Sequence, residues 1–144
     1  SFGIISWIFC VFLLIIIFVF SSAKAELSNY DKGKNLFEEK KYDLAKFKFE
    51  QDIVFNPKNE NSYLYLSKIY NFKKNDDQEE KNLNTVILLN PKNEEAVMNL
   101  TLLKIRKSNY DETKKLIKNF KIICRKLCQQ TSDLQNKLNA ELKK

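Results

Sequence analysis

Five residues occur twice in this chain. Asn56-Pro57-Lys58-Asn59-Glu60 recurs as Asn90-Pro91-Lys92-Asn93-Glu94, and 91 − 57 sets the period at 34 residues. A proline lacks an N–H and restricts the residue before it, so each block ends one helix, while the asparagine two places on can cap the next through its side-chain oxygen. The blocks therefore mark boundaries between pairs of helices. Apolar residues between them follow helical spacing: Leu44, Phe47 and Phe55 before the first proline, then Tyr63, Leu66, Ile69 and Tyr70 after it. With only two Gly and two Pro, the chain has little material for the tight turns of a sheet. The pattern predicts helices near 28–40, 43–55, 60–72, 77–89, 94–106, 111–128 and 132–142. Connections this short make neighbouring helices antiparallel. In the last segment Leu134, Leu138 and Leu142 form one apolar stripe, as suits a helix that closes an open end.

Ahead of this region Phe2 to Phe20 carries no charged side chain, and its length is close to the roughly 20 residues that a helix needs to cross a bilayer. Ser21-Ser22-Ala23-Lys24-Ala25 follows, with the small residues of a signal-peptidase site at 23 and 25. Two outcomes stay open: cleavage after Ala25, or retention as a single-pass transmembrane helix. The run is longer than the 7–15 residues usual for a secretory signal, which favours retention; the A-x-A pattern favours cleavage. The first residue is Ser1 rather than Met, so the charged start that would fix orientation is expected upstream. Cys10 lies within the apolar run and reads as one more apolar side chain.

Over residues 26–128 the sequence resembles the tetratricopeptide repeat (TPR) family, whose period is also 34. Gly33, Tyr42, Ala45, Phe49 and Pro57 stand at the family's small, aromatic, small, large apolar and proline positions. In the second repeat Tyr63, Leu66, Tyr70, Leu83, Val86, Leu89 and Pro91 fit, but Asp76 and Glu79 replace an aromatic and an alanine, so its second helix is expected to pack loosely. The third keeps Leu100, Tyr110-Asp111 and Ile117, with Thr113 and Arg125 at the alanine and proline positions. The resemblance implies an all-α, antiparallel helix-hairpin solenoid with a C-terminal capping helix. Its divisions are 1–25 signal or membrane segment, 26–59, 60–93 and 94–128 as successive repeats, and 129–144 as the cap.

The family holds an extended peptide or a helix on the concave side, lined by the first helix of each pair. The resemblance places Tyr30, Lys34 and Phe37 there in the first repeat, Leu64, Lys68 and Asn71 in the second, and Met98, Leu102 and Ile105 in the third. Some members grip a C-terminal carboxylate with a fixed set of Lys and Asn. This sequence departs from that set, with Tyr30, Lys34 and Glu95 at three of its positions.

Catalytic chemistry finds little purchase. There is no histidine, which removes the commonest general base and the imidazole metal ligand. Gly3 and Gly33 are too far apart to form a phosphate loop. Asp76, Asp77, Glu79 and Glu80 read as a solvated cluster, with Asp76 and Glu79 in a helix-capping role. Cys124 and Cys128 fall four apart on a predicted helix and read as small buried apolar residues; a disulfide between them would suit an oxidising compartment but is geometrically awkward within one regular helix. No catalytic residue, cofactor or metal site is expected. The formal charge of +7 would draw acidic partners, but 23 lysines against only Arg106 and Arg125 fit poorly with nucleic-acid recognition, where arginine forks dominate. The leading expectation is thus a non-enzymatic scaffold of the cell envelope, periplasmic or secreted if cleaved and membrane-bound if not, whose partner is another envelope protein. The alternative is a basic nucleic-acid-binding helical domain.

Overall fold

A computed structural model describes residues 2–20 and 26–144, the side chains of Cys10 and of 13–20 excepted. The expected A-x-A site, with the cleavage point after Ala25, lies outside the described residues. Among the described residues eight helices follow one another: α1 (Phe2–Phe20), α2 (Asn29–Glu38), α3 (Tyr42–Phe55), α4 (Glu60–Phe72), α5 (Asp76–Leu89), α6 (Glu94–Arg106), α7 (Tyr110–Ile123) and α8 (Gln130–Leu142). Among the described residues no helix is long and apolar enough to cross a membrane. α1 runs 19 residues without a charge. Its described large side chains, such as Phe2, Trp7 and Phe12, are exposed.

The other helices pair as α2 with α3, α4 with α5 and α6 with α7, and each pair packs on the next, with α8 closing the far end against α6 and α7. Local chemistry sets the repeat. Asn59, Asn75, Asn93 and Asn109 cap α4, α5, α6 and α7, their side-chain oxygens accepting from the N–H of Asn61, Gln78, Ala96 and Glu112. Ser28 does the same for α2 through the Asp31 N–H. Within each pair the first helix ends on a residue in the left-handed region: Lys40 (φ 60°), Lys74 (φ 57°) and Ser108 (φ 56°), again 34 apart. Around each, the closing bonds are those of a Schellman turn, Lys41 N–H to Leu36 O, Asn75 N–H to Tyr70 O, and Asn109 N–H to Lys104 O. The position usually belongs to glycine, because a Cβ crowds the following carbonyl there.

The interior is a chain of three apolar clusters. The first joins Ala45, Phe49, Leu66 and Ile69, and the second joins Leu64, Leu83, Val86, Ala96, Leu100 and Leu103. The third joins Val97, Ile117, Phe120, Leu134 and Leu138. Aromatic rings concentrate at the first, where Phe49 stacks on Tyr65 at 4.9 Å and Tyr42 on Phe72 at 4.7 Å. Gly33 is fixed by this packing, since a Cβ there would come within 2.8 Å of the Phe49 ring.

Four expectations need correction. The second helix of the second pair is not loose: Leu83 and Val86 of α5 are fully buried, because Glu79 at the alanine position is paired rather than stranded. Leu142, placed in the capping stripe, is half exposed, and only Leu134 and Leu138 are buried. The helix expected over 111–128 stops at Ile123, where Cys124 turns extended (ψ 142°), and Cys124 is joined to Cys128 by a disulfide with 5.1 Å between Cα atoms. That separation lies in the ordinary range for a disulfide, and the break in the helix is what lets the two side chains meet. Cys128 is exposed rather than buried.

Lys74→Gly is expected to stabilise the fold by about 1 kcal/mol, because glycine removes the Cβ conflict at a positive φ without touching a side-chain contact. A urea-unfolding midpoint that falls instead of rising would show that the turn carries no such strain.

Candidate partner-binding groove

The stacked hairpins leave a cavity of about 430 Å³ between α4 and α6, reached also by Phe37 from α2 and Glu79 from α5. Helical spacing builds one wall: Glu95, Asn99, Leu102 and Arg106 recur along a single face of α6. Ser67, Lys68, Asn71 and Phe72 form the facing wall from the last two turns of α4.

Of the residues expected on the concave side, Phe37, Lys68, Asn71 and Leu102 line this cavity. Lys34 is exposed on α2 but is not part of the lining. The row Tyr30, Leu64 and Met98 is a correction. Leu64 is only 6% exposed and belongs to the second core cluster, where it packs with residues of α5 and α6 and offers nothing to a ligand. Met98 lies against the third cluster, off the α6 face that meets the cavity. Tyr30 sits with its ring 6.0 Å from both Phe49 and Tyr65, and burial pushes its phenol pKa up. Leu64 serves packing, while Tyr30 and Met98 pack on the core with part of their surface exposed, outside this cavity. Ile105 also touches the third cluster and borders a shallower cleft beside α8, together with Leu102, Arg106, Lys137, Ala140 and Glu141.

The charges in the cavity satisfy one another. Lys68 Nζ lies 2.7 Å from Glu95 Oε1 across the groove, and 4.9 Å from the centre of the Tyr65 ring. Arg106 donates to Asp76 at 2.9 Å and to Glu79 at 2.7 Å. Glu79, nearly fully buried, also accepts from Asn71 Nδ2 at 3.1 and 3.2 Å. Asn75 performs the capping expected of Asp76 and Glu79; Asp76, Glu79 and Glu80 are anchors for the next hairpin, whereas Asp77 is solvated as expected. Glu80 takes Lys104 at 2.7 Å and Lys107 at 2.8 Å, and these two ammonium groups hold its carboxyl below the usual carboxylate range. Phe72, Glu79, Asn99 and Arg106 were missed as groove residues. Phe72 and Arg106 were within reach, since they occupy one repeat position 34 apart and follow Lys68 and Leu102 by one turn.

Among the described residues no group of three or more potential ligands could hold a metal ion, and no buried side-chain polar atom lacks a hydrogen-bond partner. No protein-family description matches the chain, and no curated protein matches it. Solved structures do. The chain is similar to the first TPR of Spaghetti (RPAP3) bound to the HSP90 peptide SRMEEVD, with a TM-score of 0.71 at 19% identity over 81% of this chain and 91% of that one. It is similar to the Arabidopsis OM64 TPR domain, TM-score 0.70 at 15% identity over 78% and 92%, and to the TPR2B domain of yeast Sti1 in its Hsp70 complex, 0.70 at 13% over 76% and 91%. The fold is an all-α, TPR-like solenoid.

Because one partner of the Arg106–Glu79 pair is buried, a double-mutant cycle with Glu79→Gln and Arg106→Gln is expected to give a coupling above about 1 kcal/mol, the upper end for exposed pairs. Chemical denaturation of the four proteins measures it, and coupling near zero would mean that the pair does not hold α5 to α6.

Proposed function

We propose that this chain is a protein-interaction module whose groove holds an extended peptide or a helix of another protein, and whose N-terminal segment carries it into or across a membrane. The observation that carries the reading is the lining of the groove: apolar Phe37, Phe72 and Leu102 beside polar groups that are already paired. An apolar cleft with a few placed amides suits a peptide side chain and its backbone. The Spaghetti TPR holds a peptide that ends in acidic residues. Here both groove cations, Lys68 and Arg106, are engaged by Glu95, Asp76 and Glu79, so an acidic tail would have to displace a carboxylate to reach either one. The complementary ligand carries little negative charge and presents an apolar anchor.

The proposed destination rests on two features. Residues 2–20 offer a bilayer nothing charged, and the Cys124–Cys128 disulfide belongs to an oxidising compartment such as the exterior of a cell or the lumen of its secretory path. An envelope protein as the partner follows from that placement. Nucleic-acid binding gains no support from the surface, because Lys68, Lys73, Lys104 and Lys107 are bound to acids of neighbouring helices.

Panning a random peptide library against the full chain is expected to enrich apolar-anchored sequences without acidic ends, and Leu102→Ala should weaken the best of them about ten-fold. Selection of acidic tails resembling SRMEEVD would overturn the groove reading. Targeting is checked by the intact mass of the mature protein, expressed from its complete gene, in separated membrane and soluble fractions. A chain starting at Glu26 in the soluble fraction means export, and an intact chain with the membranes means a tether. An intact chain free of membranes would sink both.

A further inference from the structure

At one junction the array departs from its own repeat. Between α3 and α4, and again between α5 and α6, the chain turns through Asn-Pro-Lys-Asn; between α7 and α8 the corresponding stretch is Cys124-Arg125-Lys126-Leu127-Cys128, with no proline, closed instead by the disulfide. Cys124 still gives its N–H to Phe120 O at 2.9 Å, but beyond it the chain is no longer helical. The next N–H groups turn to another hairpin: Lys126 and Leu127 donate to Glu94 Oε2 at 3.0 and 2.8 Å. Cys124 and Leu127 lie against the third core cluster, where Leu134 and Leu138 seat α8. Through Lys137, Ala140 and Glu141, α8 in turn forms a cleft with Leu102 and Arg106, two residues of the partner-binding groove.

We propose that Cys124–Cys128 is a thiol–disulfide exchange site for a dithiol reductant, and that its redox state decides whether α8 stays docked at the end of the groove. Cys128 is exposed and Cys124 half-buried, so the accessible sulfur is that of Cys128. A reductant thiolate attacks Cys128 Sγ, the S–S bond breaks, and its electron pair leaves on Cys124, which takes a proton from water. The reductant's second thiol, losing its proton, then attacks the mixed disulfide and expels the Cys128 thiolate, which is protonated in turn. Two electrons pass to the cysteine pair and the reductant leaves as its own disulfide.

The consequence follows from sequence. Once unlinked, Cys-Arg-Lys-Leu-Cys contains no helix breaker, and its members are acceptable to good helix formers. Continuing α7 sends the N–H groups of Lys126 and Leu127 to the carbonyls of Ile122 and Ile123, four residues back, and away from Glu94. The turn that aims α8 is lost with them. The effect on partner binding rests on the groove reading above, whereas the structural step does not.

Hydrogen exchange of the full chain, followed by mass spectrometry with and without dithiothreitol, tests the step without any groove ligand. Reduction is expected to release two titratable thiols and to speed exchange over residues 130–142 by about ten-fold, while α2 to α5 keep their protection. Glu94→Gln, with the disulfide intact, is expected to speed exchange over the same residues. The proposal is overturned if both thiols appear with no change over 130–142, if protection is lost throughout the hairpins together, if dithiothreitol frees no thiol from the folded chain, or if Glu94→Gln leaves the exchange of α8 as it was. A working switch alongside failed peptide selection would leave this step standing and remove only the groove reading.

Discussion

The glutamate that closes each Asn-Pro-Lys-Asn-Glu block reaches forward to the next junction, and the stacking of the hairpins depends on it. Glu60 Oε1 accepts from Asn90 Nδ2 at 2.8 Å and Asn93 Nδ2 at 3.2 Å, so the start of α4 is tied to the turn before α6. Glu94, one period later, reaches the backbone of the loop before α8, and the Leu127 N–H holds its carboxyl below the usual carboxylate range. Within the first block the same region is held by Asp52, buried at 2% exposure, which accepts from Asn56, Asn59 and the Ser62 hydroxyl. The first two turns are thus satisfied by their own asparagines and one acid, and the third by Glu94 through the backbone. Asp52, the buried one of these acids, would be costly without its donors, which makes the first junction form as a unit.

Packing between hairpins then divides into an apolar and a charged side. The three core clusters take the aliphatic and aromatic residues, while α5 and α6 are laced by Glu79, Glu80 and Asp76 against Arg106, Lys104 and Lys107. This lacing neutralises the α5–α6 seam locally, while the net charge of +7 stays on the remaining surface. It also leaves the groove electrically quiet, with Phe37, Phe72 and Leu102 as its apolar patch.

Helix order and most helix bounds were legible because they are local. Proline and the asparagine caps act over a few residues, and a period of 34 repeats the message. A further trace of the same period, the left-handed residues 40, 74 and 108, was hidden because lysine and serine stand where glycine would have announced the turn. The groove was half legible: the rows Lys34-Lys68-Leu102 and Phe37-Asn71-Ile105 contain four of its lining residues, whereas the row Tyr30-Leu64-Met98 turns to the core. Face alone could not separate them, since which turn of α4 meets solvent depends on how far α5 and α6 cover it. The pairing of Glu79 with Arg106 joins residues 27 apart, and the disulfide needed a break that local helix propensity does not foretell.

The aromatic cluster at the first hairpin gives the molecule an optical asymmetry. The one tryptophan, Trp7, lies in α1, and of the six tyrosines Tyr30, Tyr42, Tyr65 and Tyr70 gather around Phe49 at one end of the solenoid. The far end, built on Val97, Ile117, Phe120, Leu134 and Leu138, contributes one tyrosine, Tyr110, beside Phe120 and the disulfide. Near-ultraviolet dichroism therefore reports chiefly on the α2–α3 and α4 end, while far-ultraviolet signal sums over every helix. In an array where each hairpin leans only on its neighbours, comparing the two bands tells from which end the stack comes apart, with no label attached to the chain.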